Sequence, residues 1–319
     1  MEGTDLVILE KIVLDNTRRS TFKSCKRKYY WNDVCGYKPD NGSSALRYGS
    51  TWHGMMEGYY RYIKENGWND KALGIAKAVE FGKKKWDYLT DKQIFYPDYR
   101  TFEACAQSFV RYIDFYHEDS KILNVIDTER KYECPITLET EEEKRLYSHL
   151  PPIIFTGRLD LQIEMNDMKW LVDFKTTGQG LALQGMRLNR SAQLLGYSYA
   201  GEKVLEFRPE GCMVSLHLLS ARKSTKTGEY GNLTIDFLRV PQIFTAHDIK
   251  EWKRSYLDVA NDLFLAFKHN SWPMNFDSCY QFGACAFTKL CEQNRPEGEI
   301  STEGYHIDHW DVLSEEEPS

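Results

Sequence analysis

Nowhere in the 319 residues does an apolar run approach the roughly 18 consecutive residues that a membrane-crossing helix needs. Met1 to Glu10 also lacks a basic start followed by an apolar stretch, so no export signal is read there and a soluble, intracellular, cytoplasmic protein is expected. Positive charge is not in excess either. A formal charge of -6 argues against a protein that coats nucleic acid non-specifically, because phosphate binding relies on Lys and Arg releasing counterions. It leaves open an enzyme whose site is built of carboxylates beside a local basic groove. There is no G-x-x-x-x-G-K-[S/T] phosphate loop, so any strand unwinding must come from a partner, and no internal repeat is visible. Eight cysteines in a long chain without an export signal do not read as a disulfide scaffold; reduced thiols are expected, and clustered ones suggest a metal.

What is present suits one large core. At 42% hydrophobic residues the chain is expected to form a single domain over residues 1–319, with an insertion. A short helix is expected around Phe22, Cys25, Tyr29 and Tyr30, with Ser20 or Thr21 as its cap. Residues 48–117 read as a helical lobe, since Trp52, Met55, Met56, Tyr59, Tyr60 and Ile63 fall at three- and four-residue spacing and Phe109, Tyr112, Ile113 and Tyr116 repeat it. From 123 to 240 the pattern changes to strands, broken by a helix over Ser191 to Val204. MVSLHLLSA and LTIDFLRV form a hairpin across RKSTKTGEYGN, and a last helix opens near Thr245-x-x-Asp248. The tail, 296–319, is polar, acidic at its end and expected to be loosely ordered.

Chemistry concentrates in two strands. Asp160 closes the run Gly157-Arg158-Leu159-Asp160, and Asp173-Phe174-Lys175 follows on the next strand after a turn at Asn166 and Asp167. Period-two alternation puts Asp173 and Lys175 on one face and Phe174 on the other. Two carboxylates can hold a hard cation such as Mg²⁺, which polarises a phosphate and lowers the pKa of a bound water, while a neighbouring lysine offsets charge. A second acidic-x-Lys match, Glu142-Glu143-Lys144, lies in a polar run read as loop and is set aside. The apolar flanks Leu171, Val172 and Phe174 distinguish the Asp173 instance.

GRLD, then VDFKTT, then Gln193-Leu-Leu-Gly-Tyr197 resembles the active-site core of RecB-type nucleases of the PD-(D/E)XK superfamily. The resemblance runs from Cys25 to Cys291 and implies an α/β, restriction-endonuclease-like mixed sheet flanked by helices. It implies that His53 in YGSTWH is a metal ligand with Asp160 and Asp173, that Glu129 in VIDTERKY is the acidic residue of the first core strand, and that Gln193 and Tyr197 line the site beside DNA. On the residues alone, His53 could be a satisfied core histidine, Glu129 a solvated strand residue, and Gln193 with Tyr197 interior packing.

Cys279, Cys285 and Cys291 stand at equal spacings of five intervening residues, and a fourth ligand is missing locally. RecB- and AddB-type nucleases with iron-sulfur clusters, and the similar CRISPR-adaptation exonucleases, carry one cysteine before the core and three after it. The resemblance therefore assigns Cys25, in CKRKYYW, to a 4Fe-4S cluster with the segment 272–295, joining the N- and C-terminal segments. The gap from Cys279 to Cys285 is longer than in the AddB-type pattern. Zinc is the competing occupant, Cys35 the reserve ligand, and Cys105, Cys134 and Cys212 read as buried residues.

The expected activity is hydrolysis of DNA phosphodiester bonds with Mg²⁺ or Mn²⁺, by an exonuclease acting on single-stranded DNA or free ends. The implied setting is recombination, repair or phage DNA processing, with a helicase or recombination partner. A non-catalytic DNA-binding scaffold and a site-specific endonuclease are the alternatives. Lys26, Arg27 and Lys28, with Lys83, Lys84 and Lys85, are candidates for a strand-tracking surface.

Overall fold

The computed structural model describes residues 9–281, 283–293, 299–309 and 313. The first eight residues and the acidic chain end, both read above, lie outside these. Strands run as β1 (Ile12–Leu14), β2 (Tyr37–Pro39), β3 (Leu123–Pro135), β4 (Ile153–Met165), β5 (Met168–Thr177), β6 (Gly211–Ser220), β7 (Thr234–Gln242) and β8 (Tyr305–Ile307). Helices are α1 (Asn16–Ser24), α2 (Lys26–Tyr29), α3 (Ser44–Asn66), α4 (Lys71–Lys92), α5 (Phe102–Phe115), α6 (Asp119–Ile122), α7 (Glu141–Tyr147), α8 (Leu181–Leu188), α9 (Ala192–Val204), α10 (Ala246–Lys268) and α11 (Thr288–Cys291). The architecture is mixed α/β, a mixed sheet flanked by helices. Two compact units form: a central one from Asn41–Lys131 and Arg158–Ala246, and a terminal one from Met1–Asp40, Tyr132–Gly157 and His247–Ser314.

In the central unit β4, β5, β6 and β7 lie side by side, β5 and β6 parallel and the outer pairs antiparallel. Asn166 and Asp167 both take positive φ, 51° and 62°, the left-handed pair a tight two-residue hairpin demands. That turn fixes the register Leu161↔Val172. β5 is buried on both faces, and Trp170 to Phe174 are all covered. The apolar face of α3 packs Trp52, Met56 and Tyr60 with Phe109 and Tyr112 of α5 and with Val172 and Phe174 of the sheet. Removing a side chain such as Trp52 would cost about 3–5 kcal/mol. α4 can lie close against α3 because Gly74 and Gly82 are small: a Cβ on Gly82 would sit 2.4 Å from Met55 Cγ.

The terminal unit is held by α10. Trp252 and Tyr256 enclose Phe155 with ring centroids 5.1 and 5.4 Å away, and the Tyr256 hydroxyl donates to the Leu14 carbonyl at 2.7 Å. β1 pairs parallel with the start of β4, Ile12 opposite Ile153.

Three local expectations need correction. α1 begins earlier than read, because Asp15 rather than Ser20 or Thr21 accepts the Arg18 N–H at 2.8 Å and caps it. Glu142-Glu143-Lys144 is helix, not loop: Thr140 and Glu143 exchange both bonds of a capping box. The described part of the tail is ordered by β8, which pairs antiparallel with β2, Tyr37 opposite Ile307.

Candidate functional site

Every residue of the carboxylate site belongs to the central unit. Ser43 caps α3 by accepting the Leu46 N–H, and ten residues later the helix presents His53, whose Nδ1 stands 3.3 Å from Asp160 Oδ2. Extending the β4/β5 register sets Asp160 across from Asp173. The Phe174 N–H donates to Asp160 Oδ2 at 2.8 Å, and Lys175 Nζ donates to Asp173 Oδ1 at 2.9 Å, so one hairpin holds both acids and the lysine. Phe174 itself points away into the core and stacks on Tyr60. Glu129 arrives by a different device. Its φ of 49° breaks the regular course of β3, as in a bulge, and its carboxylate pairs with Arg158 Nε at 2.6 Å.

Ligand atoms of His53, Glu129 and Asp160 all lie within 4.8 Å of one another. This group differs from the expected set of His53, Asp160 and Asp173. Glu129 joins His53 and Asp160 there, while Asp173 Oδ1 lies 2.9 Å from Lys175 Nζ. Gln193 and Tyr197 are one helical turn apart on α9. Gln193 Nε2 donates to the Tyr197 hydroxyl at 2.7 Å, and that hydroxyl reaches the Arg158 carbonyl at 3.2 Å, two residues before Asp160. They brace the strand that carries the acid.

Burial pushes the Glu129 carboxyl up, the negative Asp160 adds to this, and Arg158 only partly offsets it, leaving it at about 8. Burial also raises Asp173, with Lys175 pulling the other way. Burial works against ionised Asp160 too, but His53, Lys175 and the Phe174 N–H together hold it below the ordinary carboxylate range. His53 is raised because Asp160 outweighs burial, and Lys175 because Asp173 and Asp160 do. Acids crowded in this way call for a cation, and two carboxylates with one imidazole are a donor set suited to Mg²⁺ or Mn²⁺.

Two participants escaped the sequence reading. Arg158 shares a face with Asp160 by strand alternation, and that signal was available in Gly157-Arg158-Leu159-Asp160. Glu57 is buried one helical turn after His53, pairs with Arg61, and is among the charges that raise Glu129.

In the terminal unit, Cys25, Cys279, Cys285 and Cys291 line one cavity of about 430 Å³. None of the eight cysteines is in a disulfide. Burial, then the neighbouring Cys25 and Cys285, raises Cys279. Among the described residues no three cysteine sulfurs lie within 4.8 Å of one another. Cys105, Cys134 and Cys212 are fully buried, as read. In the N-terminal basic run Arg27 Nε donates to the Trp272 carbonyl at 2.7 Å and Lys26 lies 3.6 Å from Asp262. Lys83 pairs with Asp87 along α4.

A family model described as the PD-(D/E)XK nuclease superfamily matches residues 16–292. No curated protein matches. A solved structure described as "Crystal structure of SSO0001" aligns with 76% of this chain and 84% of its own at 9% identity and a TM-score of 0.31, too distant to bear on function.

Proposed function

The chain belongs to the PD-(D/E)XK nuclease superfamily, and from that premise we propose that it is a Mg²⁺- or Mn²⁺-dependent deoxyribonuclease that prefers single strands and works from free ends. The observation that carries the reading is the gathering of His53, Glu129 and Asp160 within 4.8 Å, beside the Asp173–Lys175 pair. These three residues would hold the cation. A cation held there would supply polarisation of the phosphate and a water of lowered pKa. Asp173 keeps the Lys175 ammonium charged and aimed, so that it offsets negative charge building on the phosphate. Arg158 restrains Glu129, and Gln193 with Tyr197 steady β4 beneath Asp160.

The cysteine cavity is assigned to a 4Fe-4S cluster of structural role, as in the RecB- and AddB-type nucleases that the sequence resembles. Four free thiols around one cavity support this. Thiolate ligation suits an iron-sulfur cluster and zinc alike, and zinc is the competing occupant. Free thiols also favour a reducing, cytoplasmic setting. The family match extends over segments of both units, which supports a single nuclease domain across residues 1–319. No described helix is long and apolar enough to cross a membrane.

The test is digestion of end-labelled linear and circular DNA, single- and double-stranded, with Mg²⁺, Mn²⁺ or chelator. Chelator-sensitive shortening of linear single strands is expected. Cutting of circles would assign an endonuclease, and DNA binding without cleavage in either metal would assign a scaffold.

A further inference from the structure

We infer that Tyr99, Arg100, Lys223 and Tyr230 form a platform on which an unpaired base of single-stranded DNA stacks beside the carboxylate site. The inference rests on the nuclease reading and deepens it by naming what holds the strand.

The position follows from β5. The chain leaves that strand at Gly178, where an added Cβ would lie 3.5 Å from the Tyr99 hydroxyl and 3.7 Å from Arg100 Nη2. Gly178 is three residues beyond Lys175, about 10 Å at a strand rise of ~3.3 Å per residue. At the ~3.4 Å rise of a stacked nucleic-acid strand this is a span of about three nucleotides. The loop between α4 and α5 therefore stands within a few nucleotides of the reacting phosphate.

The four side chains alternate cation, ring, ring, cation. Arg100 Cζ is 4.4 Å from the Tyr99 ring centre, Tyr99 and Tyr230 are 5.1 Å apart, and Lys223 Nζ is 5.3 Å from the Tyr230 ring. Tyr230 keeps 39% of its surface exposed, and Arg222, Lys223 and Lys226 around it are exposed too, which a cluster serving only to pack a loop would not need. The arm is ordered. Lys223 and Tyr230 form an antiparallel bridge, the Ser224 N–H donates to Glu229 O at 2.8 Å, and the Gly231 N–H to Arg222 O at 3.0 Å. Arg100 is braced by Asp98 at 2.6 Å.

Bases inside a duplex already have both faces covered, so a tyrosine face and its flanking cations match an unpaired base and its phosphates. Against a net charge of -6, Arg222, Lys223 and Lys226 form a local concentration of cations beside Tyr230.

Binding is measured by fluorescence anisotropy in Ca²⁺, with labelled oligo(dT), an abasic strand of the same length, and a duplex. Wild type should prefer oligo(dT) over the abasic strand by about tenfold. Tyr99→Ala and Tyr230→Ala should lose that preference and Tyr230→Phe should keep it. Arg100→Ala and Lys223→Ala should weaken both strands equally and reduce the salt slope by about one. Equal wild-type affinity for oligo(dT) and abasic strands, equal affinity for duplex, or an undiminished preference in both alanine variants overturns the platform. Wild type that digests oligo(dT) without base preference sinks the platform alone; wild type that neither binds nor digests any DNA sinks the nuclease reading with it. The wild-type comparison needs no variant to fold.

Discussion

The carboxylate site and the cysteine cavity are built by opposite means. The first sits on regular elements: a long helix carries His53, and a tight hairpin carries Asp160, Asp173 and Lys175, with hydrogen bonds already made between them. Burial, and behind it the charge of Asp160, raises Glu129 and Asp173, so a cation bound there would favour their ionised forms. The second gathers thiols from the end of α1, an irregular segment and a one-turn helix, and the Asn275 N–H that donates to Cys25 Sγ is 250 positions further along the chain. Here the bound group would supply the cross-link itself. On the proposed reading the first site is organised before a metal would arrive and the second would be organised by its cluster, so the two should fail differently.

Chemistry without structure should be lost first and most completely in the central unit. Lys175→Ala or Asp173→Ala should lower cleavage by roughly 10²- to 10³-fold or more while the melting temperature and any cluster colour stay as in wild type. Near wild-type turnover by both variants in Mg²⁺ would end the site assignment. Structure without chemistry should be lost in the terminal unit. Protein purified without oxygen should be brown and contain iron and sulfide. Ser at Cys25, Cys279, Cys285 or Cys291 should remove the colour and lower the melting temperature by about 5–10 °C, as loss of a long-loop cross-link does. Cys35→Ser should stay brown. Stoichiometric zinc without iron would overturn the cluster and leave the hairpin site as it stands.

The same contrast explains what the sequence disclosed. Asn166-Asp167 between apolar runs specifies the hairpin, and strand alternation then places Asp173 with Lys175 and turns Phe174 inward; local rules suffice there. Glu129 was legible only through resemblance, because the positive φ that redirects it leaves no periodic trace. α7 was missed for another reason: its capping box, Thr140 with Glu143, stood in a run polar enough to read as loop. β8 depends on a partner strand more than 260 residues away, Tyr37 to Ile307, which no local pattern announces.

A smaller effect separates metal binding from DNA binding within the central unit. His53→Ala should weaken cation affinity by about ten- to a hundredfold, and raised Mn²⁺ should restore part of the activity, because imidazole would be a ligand to the cation and not a contact to phosphate. Calorimetric titration of Mn²⁺ into the variant checks this. Unchanged affinity would return His53 to a packing role.

The smallest effect concerns a buried group with no part in the chemistry. His217 on β6 is fully buried, its ring 4.0 Å from Trp52 and 5.4 Å from Phe237, and neither ring nitrogen has a hydrogen-bond partner among the described residues. Burial drives its pKa down from 6.5 to about 3. Below pH 6.5 the unfolded chain therefore takes up a proton that the folded chain declines, so this residue's contribution is complete above that pH and is lost as pH falls towards 3. One such proton changes stability by at most about 1.4 kcal/mol per pH unit. Acid should then weaken the central unit through His217, as loss of the proposed cluster should weaken the terminal one. His217→Phe keeps an aromatic ring between Trp52 and Phe237 and removes two unpaired nitrogens, so its stability at pH 7 should stay close to wild type. Between pH 7 and pH 4.5 its unfolding free energy in denaturant should fall by about 2 kcal/mol less than that of wild type. Equal losses would show that His217 is hydrated or paired in solution and that acid sensitivity lies with the carboxylates.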